Sequence, residues 1–130
     1  MLINFEDVQL AILSSFKEAK VTPLQSLLIG SLAKGNAHSR SDADIIVCFK
    51  KKNLPNNDTI YNLLEILEEK IGRNVDLIIF EYKNKFVNHD QRDIHFLENA
   101  ITEAKQIDNN SEIGKELIDF STKIGLYKFR

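Results

Sequence analysis

Gly30-Ser31-Leu32-Ala33-Lys34-Gly35-Asn36-Ala37-His38-Ser39-Arg40-Ser41-Asp42-Ala43-Asp44-Ile45-Ile46-Val47 is the stretch whose reading decides the fold. It is entered from the apolar run Leu24-Gln25-Ser26-Leu27-Leu28-Ile29, which glycine stops, as suits a short buried strand. Residues 31–35 have the makings of a short helix that Gly35 and Asn36 end. The stretch leaves through Ala43 to Phe49, apolar nearly throughout, as a strand covered on both faces would be.

Upstream, Phe5, Val8, Ile12, Phe16 and Ala19 recur in steps of three and four, which predicts an amphipathic helix over 5–19. Asn4 is its expected N-cap, and Val21-Thr22-Pro23 ends it. Downstream, residues 53–58 read as a loop. A helix follows over roughly 59–71, with Ile60, Leu63, Leu64, Leu67 and Ile71 on one stripe and Gly72 as its stop. Val75 to Phe80 reads as a third strand, and Tyr82-Lys83-Asn84-Lys85 is polar. The helical spacing of Ile94, Leu97, Ala100, Ile101, Ala104 and Ile107 predicts another helix. Asp108-Asn109-Asn110 breaks it, and Ser111 caps a last helix bearing Ile113, Leu117, Phe120 and Ile124. The order predicts one α/β (α+β) domain over 1–130, with a core of about 5–80 and C-terminal helices at about 90–125.

The bulk composition excludes several classes. A net charge of −2 gives no general electrostatic case for nucleic acid, and Lys50-Lys51-Lys52 reads as a solvated strand end. The lone Cys48 sits in an apolar run and reads as a small buried hydrophobe. The first residues lack the charged and apolar regions of a signal peptide, and no apolar stretch reaches the length of a membrane span. A reduced, cytoplasmic protein with no membrane contact is the expectation.

The chemistry is concentrated in a few residues. Gly30-Ser31, where strand meets helix, offers backbone N–H groups, the positive end of a helix dipole, a close approach over glycine and a serine hydroxyl, all favourable to phosphate. Asp42 and Asp44 are two apart, which on a strand puts both on one side, about 6–7 Å from each other. Carboxylates so placed repel unless a cation lies between them, and magnesium is the natural one. Asp76, near the start of the third strand, can join them if the two strands are neighbours. Three carboxylates can hold two metals, and Asp76 can also accept the proton of an attacking hydroxyl. His38, His89 and His95 show no ligand spacing and read as structural or solvent-facing. Tyr61, Tyr82 and Tyr127 carry hydroxyls that could accept a nucleotide in self-modification.

Gly-Ser, ten residues, then Asp-x-Asp resembles the signature of the DNA polymerase β nucleotidyltransferase superfamily. Gly30 to Gly35 with Ser41 to Val47, followed by a helix and a strand bearing Asp76, is similar to its minimal nucleotidyltransferase (MNT) branch, and the resemblance covers roughly 5–80. It implies a polymerase β-like fold, a small mixed sheet flanked by helices. It also implies transfer of a nucleoside monophosphate from a triphosphate to a hydroxyl, with release of pyrophosphate. Asp42, Asp44 and Asp76 would be catalytic and hold Mg²⁺, two ions in the full site. Gly30, Ser31, Lys34, Arg40 and Ser41 would bind the nucleotide. The family often has arginine where this chain has Lys34, so the bidentate fork is missing there.

Residues 77–130 have room for two helices, and the expectation is that another chain supplies the acceptor surface. Stand-alone MNT proteins pair with HEPN-domain ribonuclease toxins and attach AMP to a tyrosine. The resemblance therefore implies an antitoxin that uses ATP on a HEPN partner. The alternatives are a small-molecule, aminoglycoside-type transferase working as a homo-oligomer, and a non-catalytic antitoxin that neutralises by contact.

Overall fold

The computed structural model describes residues 2, 4–38, 40–82 and 105–107. Helix α1 (Phe5–Ala19) begins where the Asn4 side chain accepts from the N–H groups of Glu6 (2.8 Å) and Asp7 (3.4 Å). Those two acids lie at its positive end. It stops at Lys20, in the left-handed region at φ 58°, where the N–H of Val21 returns to the carbonyl of Phe16. Helix α3 (Asn57–Ile71) starts two residues before its apolar stripe suggests, because the Asn56 side chain caps the N–H of Thr59 at 2.9 Å. It ends at Gly72, as its sequence predicts.

Strands β1 (Gln25–Ile29), β2 (Ala43–Lys50), β3 (Val75–Tyr82) and the short β4 (Lys105–Gln106) form one sheet in the order β3-β2-β1-β4. β2 and β3 run parallel, joined through α3, while β1 is antiparallel to both β2 and β4. The sheet is therefore mixed, as the family resemblance implies. Helix α2 (Gly30–Lys34) and the loop after it connect β1 to β2, and a single 3₁₀ turn (Lys51–Asn53) follows β2. Lys50, Lys51 and Lys52 are exposed there, in keeping with a solvated strand end.

Alternation sorts the sheet into two faces. Leu28 and then Ala43, Ile45, Val47 and Phe49 pack with Val8, Ile12 and Phe16 of α1 and Leu63, Leu67 and Ile71 of α3. Each fully buried aliphatic of that size contributes about 1.5–3 kcal/mol. The other face carries Leu27, Ile29, Ile46 and Cys48, all buried, so β2 is covered on both sides as its composition predicts. Cys48 is a buried free thiol, as expected from its setting. No described helix is long and apolar enough to cross a membrane.

One expectation fails. Lys105 and Gln106 pair with Leu28 and Leu27 as a strand, so the helix predicted through Ile107 does not reach 105–107. The outer edge of β1 presents backbone groups that need partners. The segment supplies them, and the N–H of Ile107 donates to the carbonyl of Ser26 at 3.1 Å. Ile107 is buried, but against the core beside β1 and not on a helical stripe. The rest of that predicted helix (94–104) and the one expected over 113–124 lie outside the described residues.

Candidate functional site

Three segments meet at one end of the sheet. β1 ends there while the parallel β2 and β3 begin there, and the register sets Ile29, Asp44 and Asp76 side by side across three strands. The sequence cannot show this adjacency, because it depends on β2 and β3 pairing in parallel without a shift.

The carboxyl of Asp44 lies beside that of Asp76, near enough that hydrogen bonding between them raises the pKa of Asp44. Hydrogen bonding between two carboxyls needs one of them protonated, so this neighbour favours the protonated form of Asp44. Desolvation raises the half-buried Asp44 most, and hydrogen bonding with Asp76, its charge and that of Asp42 add to this, bringing the pKa from 3.8 to about 6. Asp76 is exposed. Asp42 is also exposed and precedes the first paired residue, Ala43, so it stands off the ladder and acts on Asp44 through its charge. Among the described residues, no three His, Cys, Asp or Glu side chains form a cluster tight enough to enclose an ion as placed. Of the three expected acids, Asp44 and Asp76 are side by side in register, and Asp42 lies just before the ladder.

Gly30 turns the chain out of β1 at φ 73°. A Cβ built there would overlap Oδ2 of Asp44, so glycine is required both by backbone conformation and by the carboxylate against it. α2 is only five residues long, so its dipole is small and the attraction expected from a helix end is weaker than the sequence suggests. No side-chain hydrogen bond caps its start, and Ser31 is half-buried beside the acid pair's glycine.

The remaining predicted residues spread around this corner. Lys34 is exposed in the last turn of α2. Arg40, Ser41 and Asp42 line a cavity of about 480 Å³ together with Glu68, Gly72, Arg73 and Asn74. Ser41 is engaged in its own loop: Oγ accepts from the N–H of His38 (2.9 Å), and its N–H donates to the His38 carbonyl (3.0 Å). His38 is exposed, and its Nδ1 accepts from the N–H of Arg40 at 3.1 Å, which fits a structural role.

Sequence reasoning passed over Arg73. Its guanidinium is buried and donates to the carbonyls of Leu2, His38 and Ser41. Its only sequence signal is an arginine in a turn leading directly into an acid-bearing strand.

The family described as "Polymerase beta, Nucleotidyltransferase" matches residues 10–113. A protein of Methanocaldococcus jannaschii named as a protein adenylyltransferase is 43% identical over 51 residues, which are 39% of this chain and 51% of that protein. The match thus spans about half the length of that relative. A chain of a crystal structure of a toxin–antitoxin with AMP-PNP superposes with a TM-score of 0.65 at 18% identity, over 92% of this chain and 86% of that one. A chain from a tri-AMPylated Shewanella oneidensis HEPN toxin in complex with MNT antitoxin gives 0.60 at 16% identity, over 93% and 84%. At these identities the likeness shows a shared fold.

Proposed function

This chain belongs to the polymerase β nucleotidyltransferase family, and on that premise we propose that it transfers AMP from ATP to a hydroxyl of a partner protein, a tyrosine of a HEPN ribonuclease toxin, as that toxin's antitoxin. The observation that carries the reading is the Asp44–Asp76 carboxyl pair, set in register across β2 and β3 beside Gly30-Ser31. The relative named as a protein adenylyltransferase supports the reaction. The toxin–antitoxin structures, one with AMP-PNP and one with an AMPylated toxin, support the nucleotide and the partner.

The donor set fits a divalent cation. Asp44 and Asp76 stand side by side in register with the charge of Asp42 also felt at Asp44, a repulsion that a cation relieves, and all the donors are hard oxygens, as Mg²⁺ prefers. Asp42, Asp44 and Asp76 would hold it. When bound, Mg²⁺ supplies charge neutralisation of the triphosphate and activation of the attacking hydroxyl.

The chain's own groups do the rest. Gly30 leaves room for phosphate to approach the backbone, and the Ser31 hydroxyl and N–H donate to phosphate oxygens. The acceptor oxygen bonds to the α-phosphorus, and the bond from that phosphorus to the pyrophosphate oxygen breaks. The hydroxyl proton passes to a carboxylate, for which the exposed Asp76 is best placed. Arg40 and Lys34, both exposed, meet the departing pyrophosphate charge.

The test incubates the protein with ATP, Mg²⁺ and the HEPN protein encoded beside it. The expected result is a gain of one or more AMP groups on the partner, located at tyrosine, and abolished by Asp42→Asn with Asp44→Asn. An unchanged partner mass rejects the reading. Protection that survives both substitutions shows neutralisation by contact alone.

A further inference from the structure

Arg73 lies in the turn between α3 and β3 and is 6% exposed. Its Nε donates to the carbonyl of Leu2 at 2.7 Å. Its Nη1 donates to the carbonyls of His38 and Ser41, each at 2.7 Å. Among the described residues no carboxylate pairs with it, and its buried Nη2 has no hydrogen-bond partner. A buried guanidinium with no ion pair among the described residues costs desolvation, which its bonds to the three carbonyls offset.

What the arrangement does is fix Asp42 from both sides. The peptide carbonyl before Asp42, that of Ser41, accepts from Arg73. The amide after it, that of Ala43, donates to the carbonyl of Asn74 at 2.9 Å. Both anchors sit on one turn, and that turn leads within two residues to Asp76. The acid that lies off the sheet ladder is thereby tied to the strand start that carries the Asp44–Asp76 pair.

We propose that Arg73 is a positioning residue of the transfer site, acting through Asp42 by bolting the 38–42 loop to the α3–β3 turn. The proposal rests on Asp42 belonging to the site as read above. Arginine is needed because one planar fork presents N–H groups toward three carbonyls on two segments, Leu2 near the chain start and His38 and Ser41 in the loop before β2. A lysine ammonium has its donors at a single point and cannot span them.

The experiment compares wild type with Arg73→Lys, in the full chain, by amide hydrogen exchange, Mn²⁺ binding and nucleotide transfer to the partner. The expected result is loss of exchange protection at residues 40–43 while 45–47 keep theirs. Mn²⁺ affinity falls by about tenfold or more, the range seen when groups supporting metal ligands are removed. The kcat falls while KM for ATP changes little, and adding Arg73→Lys to Asp42→Asn lowers kcat no further. The proposal is overturned if 40–43 stay protected in Arg73→Lys, or if the two substitutions multiply in kcat. Should Arg73→Lys not fold, wild-type exchange decides. Amides of Ser41 and Ala43 that open only with the core support the brace, and amides that exchange as a free loop overturn it. A wild type that binds no Mn²⁺ and transfers no nucleotide rejects the reading of the site, and the exchange data then judge the brace by themselves.

Discussion

Oδ2 of Asp44 occupies the space in which a side chain on residue 30 would begin. The turn out of β1 and the acid on β2 are thus built around each other, which ties the Gly-Ser corner to the carboxyl pair by packing as well as by motif. Gly35, at φ 78°, has the same backbone requirement but open space where its Cβ would be.

The two glycines therefore separate strain from displacement. Gly35→Ala is expected to cost about 1–2 kcal/mol from the left-handed conformation, with transfer activity largely kept. Gly30→Ala carries the same strain and must also push Asp44 aside. It is expected to be the less stable of the two and to lose at least about a hundredfold in kcat, in line with loss of a positioned catalytic group. Urea titrations and transfer assays on both variants check this, and equal activities would show that Asp44 does not need its place.

Asp44 sets a pH dependence. Its folded pKa of about 6 is above the ordinary 3.8, so the folded state holds this proton more tightly than the unfolded chain. Its contribution to stability is therefore fully present below about pH 4 and is lost as pH rises through 6. In EDTA, the urea midpoint is expected to fall across that window, Asp44→Asn to flatten this part of the profile, and Mg²⁺ at pH 7.5 to restore what the proton supplied. A wild-type profile indistinguishable from that of Asp44→Asn would contradict the raised pKa of Asp44.

How far the sequence speaks depends on how local each signal is. α1 is legible because Asn4 and the spacing of Val8, Ile12 and Phe16 act within a few turns. Asp42 and Asp44 are legible as a pair because two residues apart is itself a geometry. That Asp76 stands opposite Asp44 needs a parallel pairing closed through all of α3, and only the family resemblance anticipates it. β4 is hidden because Lys105-Gln106 carries no strand signature, while Ile107 continues a helical spacing by coincidence of its burial. Arg73 is hidden because its partners are carbonyls, which every residue has.

The edge pairing at β4 makes its own prediction. Ile107 is fully buried, its carbonyl accepts from Gln9 Nε2 at 2.5 Å, and its N–H meets Ser26. Ile107→Ala is expected to destabilise by about 2–5 kcal/mol, the range for deleting a packed aliphatic side chain. A change under about 0.5 kcal/mol in urea denaturation, as on a surface, would remove Ile107 from the core and β4 with it.

Lys20 lies at the opposite end of the sheet from the acids, since it shares a cavity with Lys52 and Asn53 just past the end of β2, whereas Asp44 is at the start of that strand. It holds a left-handed conformation, the only non-glycine among the described residues to do so, because α1 must end and turn there. An L side chain in that region costs about 1–2 kcal/mol, and glycine avoids this while losing some entropy of the unfolded chain. Lys20→Gly is accordingly expected to raise stability by about 0.5–1 kcal/mol. Transfer activity and Mn²⁺ affinity should stay as in wild type, because no group of the site is near. Thermal and urea melts beside a transfer assay decide it: a loss of stability would mean that the lysine side chain contributes packing there beyond the strain it carries, and a loss of activity would mean that the two ends of the sheet are coupled.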